Sequence, residues 1–154
     1  MPPSVRPTSV KATLIVVPAA LLSQWIEEAQ KHSPSLKVLV WSARQEWTKI
    51  SIEERRAYAK WAFGEADIIM TTYESLQLDL RLSKRKEGAS PILQVQWYRV
   101  ILDEAQLVAK SSSQAAIICS ELWRMSGWVV TGTPITNIGD VSFSRGLLRS
   151  YLCY

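Results

Sequence analysis

Histidine occurs once in the 154 residues, cysteine twice and glycine six times, and long apolar runs are missing. The two cysteines, Cys119 and Cys153, form neither a disulfide framework nor a zinc-ligand spacing. A reducing, intracellular compartment is the expectation. The lone His32 stands four residues after Glu28 and suits the end of a helix better than a metal site. The longest charge-free apolar stretch, Ala12 to Ile26, is interrupted by Pro18, Ser23 and Gln24. It falls short of the roughly 18 apolar residues a membrane helix needs. No basic-then-apolar leader opens the chain, so neither a membrane nor a secretory route is expected. None of the glycines, at 64, 88, 127, 132, 139 and 146, is followed by lysine. These residues therefore hold no phosphate-binding loop of the Gly-Lys-Ser/Thr kind.

What is present is a globular balance, 47% apolar and 21% charged, which excludes wholesale disorder. The length suits one domain. A net charge of +4 tolerates a polyanionic partner without demanding one. Seven tryptophans, scattered along the chain, read mainly as bulky core and edge residues. No fixed-period repeat is visible.

Met1 to Lys11, with three prolines, reads as a tail that is extended or frayed. Thr13-Leu-Ile-Val-Val17 is a continuous β-branched run, the pattern of a strand buried on both faces. Pro18 stops it, and a helix follows with Leu21, Leu22, Trp25, Ile26 and Ala29 on one stripe. Trp25 there reads as a packing residue. Lys37–Trp41 is a second strand. Ser51 with Glu54 is a capping-box pair that predicts a helix over Ile52–Phe63, ended by Gly64. Ala66–Met70 is a third strand, and the charged stretch Arg81–Ser90 reads as a surface loop. Trp97–Leu102 is a fourth strand, followed by a helix capped by Ser113 with Ala115, Ile118, Cys119 and Leu122 facing inward. Gly127–Val130 is a fifth.

Strand and helix alternate with short links, so the class is α/β: a mostly parallel sheet with helices on both faces. Ligands in such sheets bind beyond the carboxyl ends of the strands. The residues there are Pro18, Thr71-Thr72-Tyr73, Asp103-Glu104-Ala105-Gln106 and Thr131-Gly132-Thr133-Pro134. A carboxylate at a strand end can hold Mg2+, usually through water. An adjacent carboxylate can orient or deprotonate an attacking water. An acidic turn is the competing reading, since Glu27-Glu28 and Glu53-Glu54 occur as well. The dipeptide alone leaves both open.

Taken together, these segments resemble the first lobe of the Swi/Snf branch of superfamily-two helicase-like ATPases. Thr13-Leu-Ile-Val-Val-Pro18 with Leu21-Leu-Ser-Gln-Trp25 resembles motif Ia. Asp67-Ile-Ile-Met-Thr-Thr-Tyr-Glu74 resembles motif Ib. Trp97-Tyr-Arg-Val-Ile-Leu-Asp-Glu-Ala-Gln106 resembles motif II, a DEAH-type Walker B. Thr131-Gly-Thr-Pro-Ile-Thr-Asn137 resembles motif III. The wording around motif II is most similar to the branch carrying linker-histone, PHD and RING modules.

The resemblance implies a RecA-like lobe of the P-loop NTPase kind, with ATP and Mg2+ as cofactors. It implies Asp103 as the Mg2+-holding carboxylate, Glu104 as the residue polarising the hydrolytic water and Gln106 as a nucleotide sensor. Thr131, Gly132, Thr133 and Pro134 would couple nucleotide state to lobe closure. Pro18, Thr71, Thr72 and Tyr73 would line a track for one DNA strand through contacts to its backbone. It further implies a nuclear setting, chromatin as a partner, and work in remodelling or DNA repair.

The resemblance also marks what these residues lack: the phosphate loop with its strand, and the second lobe. Thr136 replaces the family's usual glutamine. The expectation is a partial lobe that binds ATP weakly or not at all and does not turn it over alone. A non-catalytic fragment docking on DNA or chromatin, or an incomplete gene product, are the competing readings. By analogy the strands should order as Lys37–Trp41, Asp67–Met70, Thr13–Val17, Tyr98–Leu102, Gly127–Val130. Trp128, Val129 and Val130 should then stand uncovered at an edge.

Overall fold

The computed structural model describes residues 7–42, 51–85, 90–108 and 114–132. Five strands, β1 (Thr8–Val17), β2 (Val38–Val40), β3 (Ile68–Thr72), β4 (Val95–Leu102) and β5 (Arg124–Val129), form one sheet in the order β2-β3-β1-β4-β5. Every pairing is parallel. This is the order and class expected from the sequence. The apolar runs drive it: Leu14 to Val17 are all buried, as a central strand covered on both faces requires.

Four helices, α1 (Leu22–His32), α2 (Ile52–Glu65), α3 (Tyr73–Arg85) and α4 (Gln114–Glu121), cover the sheet unequally. On one face Phe63 of α2, Leu76 of α3 and Ile118 of α4 pack with Leu14, Val16, Ile69 and Val100 in a single core. Each such side chain, when fully buried, contributes about 1.5–3 kcal/mol. Phe63 lies between two tryptophans, 5.0 Å from Trp41 and 4.9 Å from Trp97 between ring centroids. Such inclined contacts add about 0.5–1.5 kcal/mol beyond area. On the other face, among the described residues, α1 is the helix that covers the sheet, laying Leu22, Trp25, Ile26 and Ala29 over Ile15, Val17 and Met70. No residue of α1 is fully buried, so this layer is thin.

Several boundaries differ from the sequence expectation. β1 begins at Thr8, so residues 8–11 of the expected tail belong to the sheet, joined through a register shift between Val10 and Thr13. Gly64 does not end α2, which runs on to Glu65 and stops at the extended Ala66. The Ser51–Glu54 capping box is formed in both directions, at 2.9 and 3.1 Å. The first half of the expected surface loop, Arg81–Arg85, is instead helix: α3 starts directly at Tyr73, with the Thr72 hydroxyl accepting the Ser75 N–H at 3.1 Å. β5 starts three residues early, at Arg124. Ser113 lies outside the described residues.

β5 stands at the sheet edge, where Trp128 is 55% exposed. Val130 is exposed too, but Val129 packs against the core. The Arg99 guanidinium sits 5.3 Å from the Tyr98 ring and 5.4 Å from the Trp128 ring, a cation–π arrangement bridging β4 and β5. Among the described residues no helix is long and apolar enough to cross a membrane.

Candidate nucleotide and cation site

The carboxyl ends of β1, β4 and β5 meet around Asp103. The Asp103 N–H donates to the Val16 carbonyl at 2.9 Å, extending the β1–β4 ladder by one residue. The chain then turns. Glu104 takes φ +48°, a left-handed conformation that costs a non-glycine residue about 1–2 kcal/mol. Non-glycine residues held in such conformations cluster at functional sites. The turn is held by Ala105 N–H on the Val130 carbonyl at 3.0 Å and Leu107 N–H on the Glu104 carbonyl at 3.0 Å. The first of these ties the end of β4 to the end of β5.

Asp103 is buried, 8% exposed, and its polar atoms are engaged from several elements. Its Oδ1 accepts the Glu104 N–H at 2.9 Å. Its Oδ2 accepts the indole N–H of Trp25 at 2.7 Å. Its backbone carbonyl accepts the Tyr73 hydroxyl at 2.6 Å. A carboxylate offers about four lone-pair sites, so two remain for a further ligand.

Glu104 is half-buried, and its carboxylate accepts from the Gln106 side-chain amide. The other end of that amide accepts the Thr131 hydroxyl at 2.6 Å. Asp103, Glu104, Gln106 and Thr131 are thus brought together, with Gly132 the next residue along from Thr131. Gln106 and Thr131 are exposed, so this bridge between the ends of β4 and β5 lies at the surface. Thr133 and Pro134 lie outside the described residues.

Among the described residues no group of three or more His, Cys, Asp or Glu side chains gathers as a metal cage. The donor set at Asp103 is one oriented carboxylate with free lone pairs. That fits Mg2+, which keeps several waters and takes one or two carboxylates together with substrate phosphates.

The expected DNA track is only partly at the surface. Pro18 is half-buried at the end of β1, its carbonyl accepting the Leu21 N–H at 2.9 Å as a 3-10 turn begins. Thr72 is half-buried and spends its hydroxyl oxygen on Ser75 N–H. Thr71 and Tyr73 are turned inward, contrary to expectation. Thr71 is fully buried, with its hydroxyl on the Trp41 carbonyl at 2.8 Å, and Tyr73 is 4% exposed. In this structure their side chains cannot touch a nucleic acid. The reason is strand alternation carried into a helix start, which aims both at the sheet rather than at solvent.

Sequence reasoning missed Trp25 and Tyr73 as partners of Asp103. The available signal was chemical rather than positional. A tryptophan or tyrosine on an inward stripe needs an acceptor for its N–H or O–H.

The SNF2-related domain matches residues 3–148. The chain is 34% identical over 158 residues to the ATP-dependent helicase IRC20 of Saccharomyces cerevisiae, covering 94% of this chain and 10% of that protein. It is 30% identical to the mouse E3 ubiquitin-protein ligase SHPRH, covering 86% of this chain and 8% of that one. It is 38% identical over 139 residues to the DNA repair protein rad5 of Aspergillus fumigatus, covering 86% of this chain and 11% of that one. The chain therefore spans about a tenth of the length of these curated relatives. In three dimensions it is similar to the SWI2/SNF2 ATPase core of Sulfolobus solfataricus in complex with dsDNA, at TM-score 0.61 and 27% identity. That match covers 85% of this chain and 23% of the other.

Proposed function

Because the chain belongs to the SNF2-related family, with a RecA-like fold, we propose that it supplies the motif Ia-to-III portion of a DNA-dependent ATPase acting in DNA repair or chromatin remodelling. The observation that carries this is the joining of Asp103, Glu104, Gln106 and Thr131 across two strand ends. The residues match motifs II and III and sit where α/β sheets bind ligands. Asp103 would hold Mg2+, which when bound neutralises phosphate charge. Glu104 would accept a proton from, or orient, an attacking water. Gln106, bonded to both Glu104 and Thr131, would report the state of the water-handling carboxylate to motif III. Pro18, Thr72 and the backbone around them would meet DNA phosphates, contacts that position without reading sequence. The setting would be nuclear, where chromosomal DNA is the partner.

With no phosphate loop in these residues, the chain by itself should not hydrolyse ATP measurably. Positioning and charge neutralisation supply most of phosphoryl-transfer catalysis. The test is a Mn2+ titration of 15N-labelled chain. Broadening should start at the amides of Asp103, Glu104 and Ala105 and vanish in Asp103→Asn. Broadening elsewhere, or none, sinks the cation site. A labelled duplex followed by anisotropy tests the other half. Binding should ignore base sequence and weaken steeply with salt. A sequence preference that survives high salt contradicts it.

A further inference from the structure

Trp25 lies 78 positions before Asp103 and on a different layer, yet its indole N–H ends 2.7 Å from the carboxylate. This is short for an N–H···O contact and in the range of charge-assisted bonds. The rest of the α1 stripe needs only apolar bulk to cover Ile15, Val17 and Met70. Leucine or phenylalanine at position 25 would serve that purpose. Tryptophan adds one donor, and that donor is spent on Asp103, among the described residues the one buried acidic residue at the strand ends.

The remaining atoms of Asp103 are fixed as well. Its N–H is on Val16, its carbonyl takes the Tyr73 hydroxyl, and Oδ1 takes the Glu104 N–H. Without Trp25, Oδ2 would be the only polar atom of the residue with no fixed partner. The carboxylate plane would then be held at one oxygen and able to rotate. With Trp25 it is held at both, and its two free lone pairs keep one direction. Groups that orient a metal ligand from behind are typically worth about 10–100-fold in metal affinity.

We infer that Trp25 is a positioning residue for the cation-holding carboxylate of Asp103. This rests on the cation site proposed above. It also makes the orientation of that carboxylate depend on how α1 is seated on the sheet, and α1 follows directly from the Pro18 turn.

The experiment is the same Mn2+ titration of the full chain, read at the Glu104 and Ala105 amides, with position 25 varied. Trp25→Phe keeps an aromatic ring and removes the N–H, and should weaken Mn2+ roughly tenfold. Placing 3-benzothienylalanine at position 25 keeps the indole's shape without its N–H, and should do the same. It also covers the case in which Trp25→Phe does not fold. A 5-fluorotryptophan at position 25 retains the N–H and should bind Mn2+ as the parent does. Amide shifts of Ile15 and Val17 should stay in place throughout, as they report the packing of α1. Parental affinity in the benzothienylalanine chain overturns the inference while the cation site stands. So does equal loss in the fluorotryptophan chain, which would mean that packing alone is at work. Absence of broadening near Asp103 in the parent overturns the cation site and this inference together.

Discussion

Arg55 of α2 and Asp79 of α3 form an ion pair inside the protein. Asp79 is fully buried and the Arg55 side chain is 12% exposed. The Ser90 hydroxyl donates to the second oxygen of the same carboxylate. Burial draws the Arg55 guanidinium below its ordinary pKa. Removing one member takes this buried ion-pair contact from the other, which stays charged. Asp79→Ala should therefore cost about 3–5 kcal/mol in urea denaturation. The double change Arg55→Met with Asp79→Leu should recover most of that, because a buried pair is often worth no more than good apolar packing. A single-variant loss below about 1 kcal/mol would show that water reaches the pair.

Glu104 offers a reversal of an ordinary ranking. In most helices and strands alanine is better than glycine by about 0.5–1 kcal/mol. At φ +48° the preference should invert. Glu104→Gly should be more stable than Glu104→Ala by about 1 kcal/mol, since only glycine enters this region without a Cβ clash. Thermal melts of the two variants decide it. Equal stability would mean that the turn relaxes once the glutamate is gone.

Asp67 makes the fold sensitive to acid. Its carboxylate accepts the Lys37 backbone N–H at 2.9 Å and the Lys11 ammonium at 3.0 Å. The Lys37 backbone bond is the largest of the influences that hold its pKa below the usual carboxylate value, ahead of the Lys11 hydrogen bond and the charges of Lys11 and Lys37. A depressed folded pKa adds stability that is complete above the unfolded value, about 3.9. That stability is lost as pH falls through the folded value. The melting temperature should therefore drop below about pH 4. Asp67→Asn should flatten that part of the profile and lower the plateau at neutral pH. An unchanged acid limb in the variant would refute the assignment.

Cys119 should be chemically silent in the folded chain. It is fully buried on α4, and burial pushes its thiol up to about 12, with Arg124 opposing weakly. The thiolate is the reactive form. Alkylation mapped to Cys119 by mass spectrometry should be negligible at pH 8 without denaturant. It should become rapid once urea unfolds the chain. Fast modification of folded protein would show that α4 opens locally.

The sheet was legible because its strands are written in unbroken apolar letters. Thr13 to Val17 and Val100 to Leu102 need no context to read as buried strands, and strand order followed from motif resemblance. Helix α3 was not legible. Its leucines at 76, 78, 80 and 82 alternate with polar residues, a period of two rather than 3.6. The structure buries Leu76 and Leu80 and leaves Leu78 at the surface. The buried charge at Asp79 further disguised the inward face. At the site, position at a strand end marked Asp103 and Glu104 as candidates, and the role expected of Gln106 came from the motif resemblance. Trp25 and the inward turn of Thr71 and Tyr73 were not, because they depend on how one layer is laid over another. No spacing along the chain encodes that directly.

Strand β1 precedes the other four strands of this sheet in the chain and lies in the middle of it. Its ladder partners begin only at Ile68 and Val95, so no local hairpin can shelter it in the meantime. At ordinary rates of synthesis, roughly 5–20 residues per second, the run from Leu14 to Val17 waits several seconds for β4. Both its sides are open until β3 is made and one stays open until β4 is, and an apolar strand with an open side is the kind of segment that seeks pairing with other chains. Among these five strands, order of synthesis and place in the sheet are thus opposed. A ribosome stall or a cut before Leu102 would release a chain whose central strand has β3 on one flank and lacks a complete β4 on the other.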